Sequence, residues 1–218
     1  MPCAALFSNE VYTTQKNYCG KWVLMMSINE LIRRKIGADY LKGFRTVLNH
    51  NDNHVKAAFK EINKVNRELF KAIPYKVIFT SKDVYTSAKD MRKQVQETGV
   101  IYIYDGWSGH PILTLEDNLI GRAVHDVFAH LVCGCPFNFE GEYSAYLEQR
   151  KWYPEWTWDV LFAEIPAQTA AYYVTGSHDF PQRAIAAHPA WMAWAQDLEL
   201  EDYSHNSILN MAKLMEVV

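Results

Sequence analysis

RAVHDVFAH, residues 122–130, is the stretch on which the reading of this chain turns. It belongs to a helix expected over residues 115–131, opened by Thr114 as N-cap with Glu116 and Asp117 in the first turn. Gly134 and Pro136 stop it soon after the motif. His125 and His130 stand five apart. On an ideal α-helix that spacing separates side chains by about 140°, where a spacing of four gives about 40°. Both imidazoles reach one point if the helix widens into a π-turn, a feature common at functional sites, or frays after Ala129. Glu164 follows 34 residues after His130, in a second helix over residues 157–174. Two histidines and one carboxylate with open positions suit a divalent transition metal, typically non-haem Fe(II), with catalytic zinc also possible. The two helices are therefore expected to pack together at the centre of the molecule, with His125, His130 and Glu164 as the metal ligands.

Around this centre the chain reads as mainly α with a small β-sheet. Its 218 residues make one domain, with residues 1–73 an N-terminal helical part and 74–218 a small sheet plus the helical metal-site part. Residues 1–17 read as an extended arm. A helix is expected from Trp22 to Gly37, a short one over residues 39–48, and a third over residues 55–71 with Val55, Phe59, Ile62, Val65, Leu69 and Phe70 on one side. After Pro74 the period changes. KVIFT (residues 76–80), an amphipathic helix over residues 87–97 and VIYIY (residues 100–104) give a βαβ unit with its two strands side by side. Short helices near residues 182–187 and 190–198, and one over residues 207–215, complete the chain.

Composition removes several function classes. A net charge of −3, with 22 basic residues scattered among 25 acidic ones, offers no electrostatic reason to expect nucleic acid. No apolar run is long enough for a membrane span, and no signal peptide is seen, so a cytoplasmic location is expected. Four cysteines are too few and too unevenly placed for a disulfide framework.

Other polar residues have competing readings. Glu164 and Gln168 share a face of the most apolar helix, with Pro166 between them set to open its hydrogen-bond ladder. A buried carboxylate there needs a metal or a paired cation, and Arg122 is the candidate cation. Asp126 is either an acceptor for an imidazole N–H, a pocket acid, or a surface ion-pair partner. Glu140 and Glu142 are candidates for a fourth ligand or a general base, or are helix-start acids. Cys133 and Cys135 lie near His130, but one intervening residue fits poorly with zinc-knuckle spacing. His110 is a further candidate histidine, whereas His50 and His54 in HNDNH read as a solvated loop. Asp126 and Glu142 are thus the expected catalytic residues.

The motif resembles the iron site of the aromatic amino acid hydroxylases. Their signature is His-Glu-x-x-x-His after a Thr-Pro-Glu-Pro-Asp helix start, with a glutamate ligand in a later helix. His125 and His130 match the histidines, Glu164 the carboxylate, and Thr114, Glu116 and Asp117 echo the helix start. Asp126 replaces the glutamate, the helix start lies about one turn further upstream, and Glu164 comes earlier than in that family. About a quarter of the chain carries the likeness. The pattern RAVHD-x-F-x-H, then GEY-x-A-Y, then LF-x-E-x-x-x-Q also resembles a group of bacterial and phage proteins, a likeness that brings no function with it. The resemblance implies Fe(II)-dependent oxidation of a small-molecule substrate. His125-Asp126 also resembles the doublet of the His-Asp phosphohydrolases, which would require His110 or His54 upstream and Asp159 or Asp179 downstream. A third class is a non-catalytic structural protein.

Overall fold

The computed structural model describes the backbone of residues 13–16 and 22–25, and residues 27–42, 49–106, 109–177, 180–198 and 200. The chain is mainly helical with a small parallel sheet. Strands β1 (Thr13–Lys16) and β2 (Trp22–Met25) pair antiparallel, with Thr13 opposite Met25. Trp22 therefore starts a strand and not the expected helix, as suits an aromatic and β-branched WVLM run. Helix α1 (Ile28–Lys42) begins only after Ser27, whose hydroxyl accepts from the Glu30 N–H at 3.1 Å. Gly37 does not stop it. A Cβ there would collide with the Ala170 carbonyl, so glycine lets α1 lie directly against the later helix α7 (Gln168–Thr175).

Helix α2 (Asn53–Lys71) buries Val55, Ala58, Phe59 and Ile62 and leaves its lysines in solvent. The βαβ unit forms as its pattern suggests. Strands β3 (Lys76–Thr80) and β4 (Val100–Tyr104) pair in parallel, Lys76 opposite Val100, across helix α3 (Ala88–Thr98). Ser87 caps α3, and Gly99 ends it in the left-handed conformation at φ 69°.

Helix α4 (Leu115–His125) is capped by Thr114, whose Oγ1 accepts from the Asp117 N–H at 3.1 Å. It passes without a break into a π-helical segment, Asp126–Val132. Helix α5 (Phe139–Gln149) follows. The long apolar helix then arrives in three parts: α6 (Trp158–Phe162), a second π-helical segment Ala163–Ala167, and α7. Pro166 accounts for the middle part, since it has no N–H to give to the preceding turn. Residues 182–187 are not helical; Ile185 forms a bridge to Asn49 instead. Pro189 opens helix α8 (Pro189–Ala195), occupying a first-turn position where its missing N–H costs nothing. The helix expected over residues 207–215 lies outside the described residues, as does Trp107.

Two apolar clusters build the interior. One joins α1, α2, α6, α7 and α8 around Tyr40, Phe59, Phe162 and Trp191. The other joins α3, β4 and the first π-segment around Met91, Ile101, Ile103 and Val127. Burying side chains of this size stabilises the fold by about 1.5–3 kcal/mol each. Helix α5 belongs to both, with Phe139, Tyr143 and Tyr146 turned into the first cluster and Ala145 into the second. It contacts both π-segments, while α4 and the α6–α7 helix face one another across a cavity. The two helices expected to pack directly are therefore joined through α5, and this decides which carboxylate reaches the histidines. No described helix is long and apolar enough to cross a membrane.

Candidate metal centre

The π-helical segment brings the i, i+5 histidines together. Its hydrogen bonds span five residues rather than four, so side chains five apart come onto one face. His125 Nε2 and His130 Nε2 lie 3.0 Å apart, with their rings nearly perpendicular at 86°. Glu142 closes the group. Its Oε2 is 3.1 Å from His125 Nε2 and its Oε1 is 3.3 Å from His130 Nε2. Among the described residues, His125, His130 and Glu142 form the group of ligand-type atoms able to hold a metal ion.

The far side of each imidazole fixes its tautomer. His130 Nδ1 is 2.8 Å from the Cys135 carbonyl, which can only accept, so Nδ1 carries the hydrogen. His125 Nδ1 is 3.0 Å from Gln149 Oε1, and the Gln149 amide donates in turn to Tyr153 Oη at 3.3 Å. Tyr153 hydrogen-bonds Asn66. In the neutral form both rings therefore present bare Nε2 lone pairs to each other and to a carboxylate. Three electron-rich atoms this close require a cation among them, either a proton or a metal ion. Outer hydrogen bonds of this kind orient the histidines of metal sites.

The spacing also fits a single ion. The two Nε2 atoms, 3.0 Å apart and each about 2.1 Å from a shared centre, subtend about 90° there, as on one face of an octahedron. Glu142 sets one carboxylate oxygen beside each of them.

Proton occupancy follows the same logic. Burial pushes the His125 imidazole down, but the Glu142 carboxylate outweighs it and raises the pKa to about 9. Burial pushes Glu142 up, but His130 and His125 hold it far below the usual carboxylate range. Without a metal, the cluster thus keeps a proton on His125 at neutral pH.

Glu142 reaches this position because Gly141 lets the first turn of α5 press against Pro136, whose carbonyl a Cβ at 141 would strike. The Asn138 side chain caps that turn, accepting from the Gly141 N–H at 2.9 Å. Glu142 was expected as a catalytic residue or extra ligand, and it is the carboxylate of the group. Glu164, expected as the third metal ligand, is not part of it. The second π-segment carries Glu164 onto the wall of the cavity, where its Oε1 lies 3.8 Å from His110 Nε2. The intervening α5 is the reason.

Asp126 lies next to the cluster without joining it. Burial raises its pKa, opposed by His125 and His130. Arg122 Nη1 donates to the Tyr104 and Gly106 carbonyls at 3.1 and 2.5 Å. Cys133 and Cys135 are buried thiols whose pKa values burial raises to about 12, and neither belongs to the ligand group. His54 pairs with Asp159 at 2.8 Å, pinning α2 to α6, and His50 is exposed.

One face of the cluster opens on a cavity of about 290 Å³. His125, Glu142 and Gln149 line it at the cluster, and Arg122, Glu164 and Gln168 are polar groups elsewhere on its wall. Phe59, Leu113, Leu161, Ile165 and Phe180 make it largely apolar, as small-molecule sites are. Comparison of the chain with protein-family models, with curated proteins and with solved structures gives no match.

Proposed function

We propose that His125, His130 and Glu142 hold one divalent metal ion, Fe(II) ahead of zinc, and that the chain is an enzyme oxidising a small molecule in the adjoining cavity. The observation that carries this reading is the convergence of two Nε2 atoms and a carboxylate, each imidazole anchored through Nδ1, at the edge of that cavity. Two histidines and one carboxylate on one face are the donor set of non-haem Fe(II) oxygenases, and a bound ion of that kind supplies open positions for dioxygen and substrate. The chain's own contribution is to bind and to exclude water. Phe59, Leu161, Ile165 and Phe180 enclose the substrate. Gln149 and the Cys135 carbonyl hold the hydrogen of each neutral imidazole at Nδ1, which leaves Nε2 for the ion.

The phosphohydrolase reading loses support on two points. Asp126 does not join the ligand group, and Asp159 is engaged by His54. The test is oxygen consumption by anaerobically Fe(II)-loaded protein with aromatic and pterin-like compounds, with His130→Ala as control. Turnover that disappears in the variant supports the proposal. Tight zinc with phosphoester hydrolysis gives the case to hydrolysis, and failure to bind any metal gives it to a structural role.

A further inference from the structure

Glu164 and His110 are unexplained by the metal centre. His110 has a fully buried side chain, set against the Phe59 ring at 4.8 Å between centroids. Its Nδ1 accepts from the Ile112 and Leu113 N–H groups at 3.1 and 2.9 Å. A nitrogen that accepts two hydrogen bonds holds no hydrogen, so the ring is neutral and Nε2 carries the N–H. That N–H faces Glu164 Oε1 at 3.8 Å, too far for a hydrogen bond. Neither atom has a hydrogen-bond partner among the described residues. Buried polar atoms without partners are rare, and two that face each other, one of them on Glu164 in the cavity wall, call for a guest.

We propose that Glu164 and His110 form a hydroxyl-binding subsite, which holds an alcohol group of the substrate by donating from His110 Nε2 and accepting at Glu164 Oε1. The donor inventory selects the ligand class. An ammonium group can only donate and leaves the His110 N–H unmet. A carbonyl can only accept and is repelled by the carboxylate. A hydroxyl does both. An oxygen about 2.8 Å from each atom spans the gap at an angle of about 85°, which a hydroxyl accommodates. The subsite rests on the reading of the cavity as a substrate pocket, but it needs no metal.

Three probes sharing one ring separate these chemistries: cyclohexanol, cyclohexanone and cyclohexylammonium. Each is titrated into the ¹⁵N-labelled full chain in the presence of EDTA, and Kd is read from amide shifts. Cyclohexanol is expected to bind at least about ten-fold more tightly than the other two. His110→Asn keeps an acceptor for Ile112 and Leu113 but removes the Nε2 donor, and Glu164→Met removes the acceptor at similar volume. Both should bring the three affinities within about two-fold of each other. Glu164→Met should also melt no lower than the parent protein, because it deletes an unpartnered buried acceptor, whereas a purely structural Glu164 would lower the melting point. Tightest binding by the ammonium, equal binding by the ketone, survival of the preference in both variants, or no binding by any probe overturns the proposal. Because metal is excluded, this result stands apart from that of the Fe(II) titration.

Discussion

Gly141→Ala is a small change with a large expected effect. The Gly141 N–H caps onto Asn138 Oδ1 at 2.9 Å while its Cα passes against Pro136. An added Cβ would fall against the Pro136 carbonyl oxygen and within 2.7 Å of the ring Cγ and Cδ. These are backbone and ring atoms that cannot swing aside. Recovering a contact near the optimum of about 3.5 Å means the first turn of α5 retreats by on the order of 1 Å. Glu142, the next residue, moves with it, whereas a metal–ligand distance tolerates only about 0.2 Å. Overpacking of this kind costs about 1–3 kcal/mol of stability. Loss of one of three ligands should weaken metal binding by more than the roughly 10–100-fold seen for outer-shell changes. The assay is a Co(II) titration followed by visible absorption, beside urea unfolding of the metal-free protein. Glu142→Gln, which alters the ligand and leaves the turn in place, calibrates the loss. A folded Gly141→Ala protein that binds Co(II) as tightly as the parent refutes the reasoning.

Further outcomes follow from the same geometry. In metal-free Glu142→Gln, the His125 titration midpoint seen by NMR should fall well below about 9, since its nearest counter-charge is gone and only Asp126 and the Gln149 hydrogen bond still raise it; a midpoint left near 9 would mean that Glu142 is not what raises it. The raised His125 pKa contributes stability to metal-free protein that is complete below pH 6.5 and lost as pH rises through about 9, and the lowered Glu142 pKa contributes stability present above pH 4.5 and lost in acid. These describe one interaction, so the melting temperature should peak between them and decline from pH 6.5 to 9; a flat profile there contradicts the pairing. Gln149→Leu removes the acceptor that holds His125 Nδ1–H, and metal affinity measured by calorimetry should drop about 10–100-fold. Gly37→Ala drives a Cβ into the Ala170 carbonyl and should destabilise the fold by about 1–3 kcal/mol while leaving Co(II) affinity of the folded protein unchanged.

Much of the fold is legible because local chemistry agrees with the final packing. Thr114 caps its helix as expected, the helix expected over residues 87–97 forms as Ala88–Thr98, and KVIFT and VIYIY pair in parallel across it. The i, i+5 histidines are legible too, since that spacing makes one site if the helix widens or frays, and here it widens. Gly37 misleads because its role is tertiary: the close approach to Ala170 lies more than a hundred residues away in sequence. The carboxylate misleads for a related reason. Glu164 stands out in an apolar helix, while Glu142 looks like an ordinary acid in a helix's first turn. Only the contact of Gly141 with Pro136, and α5's position between the two π-segments, turns Glu142 towards the histidines. The sequence signal available was the Gly-Glu pair just after a proline-containing loop.

The most direct test of the metal centre is anaerobic Fe(II) titration of untagged protein at pH 7.5, following bound metal and proton release together. One ion per chain, with release of about one proton as the metal displaces the one held on His125, is the expected result. Binding should be lost when either His130 or Glu142 is replaced. No stoichiometric binding, or binding that survives both replacements, contradicts a metal centre at His125, His130 and Glu142.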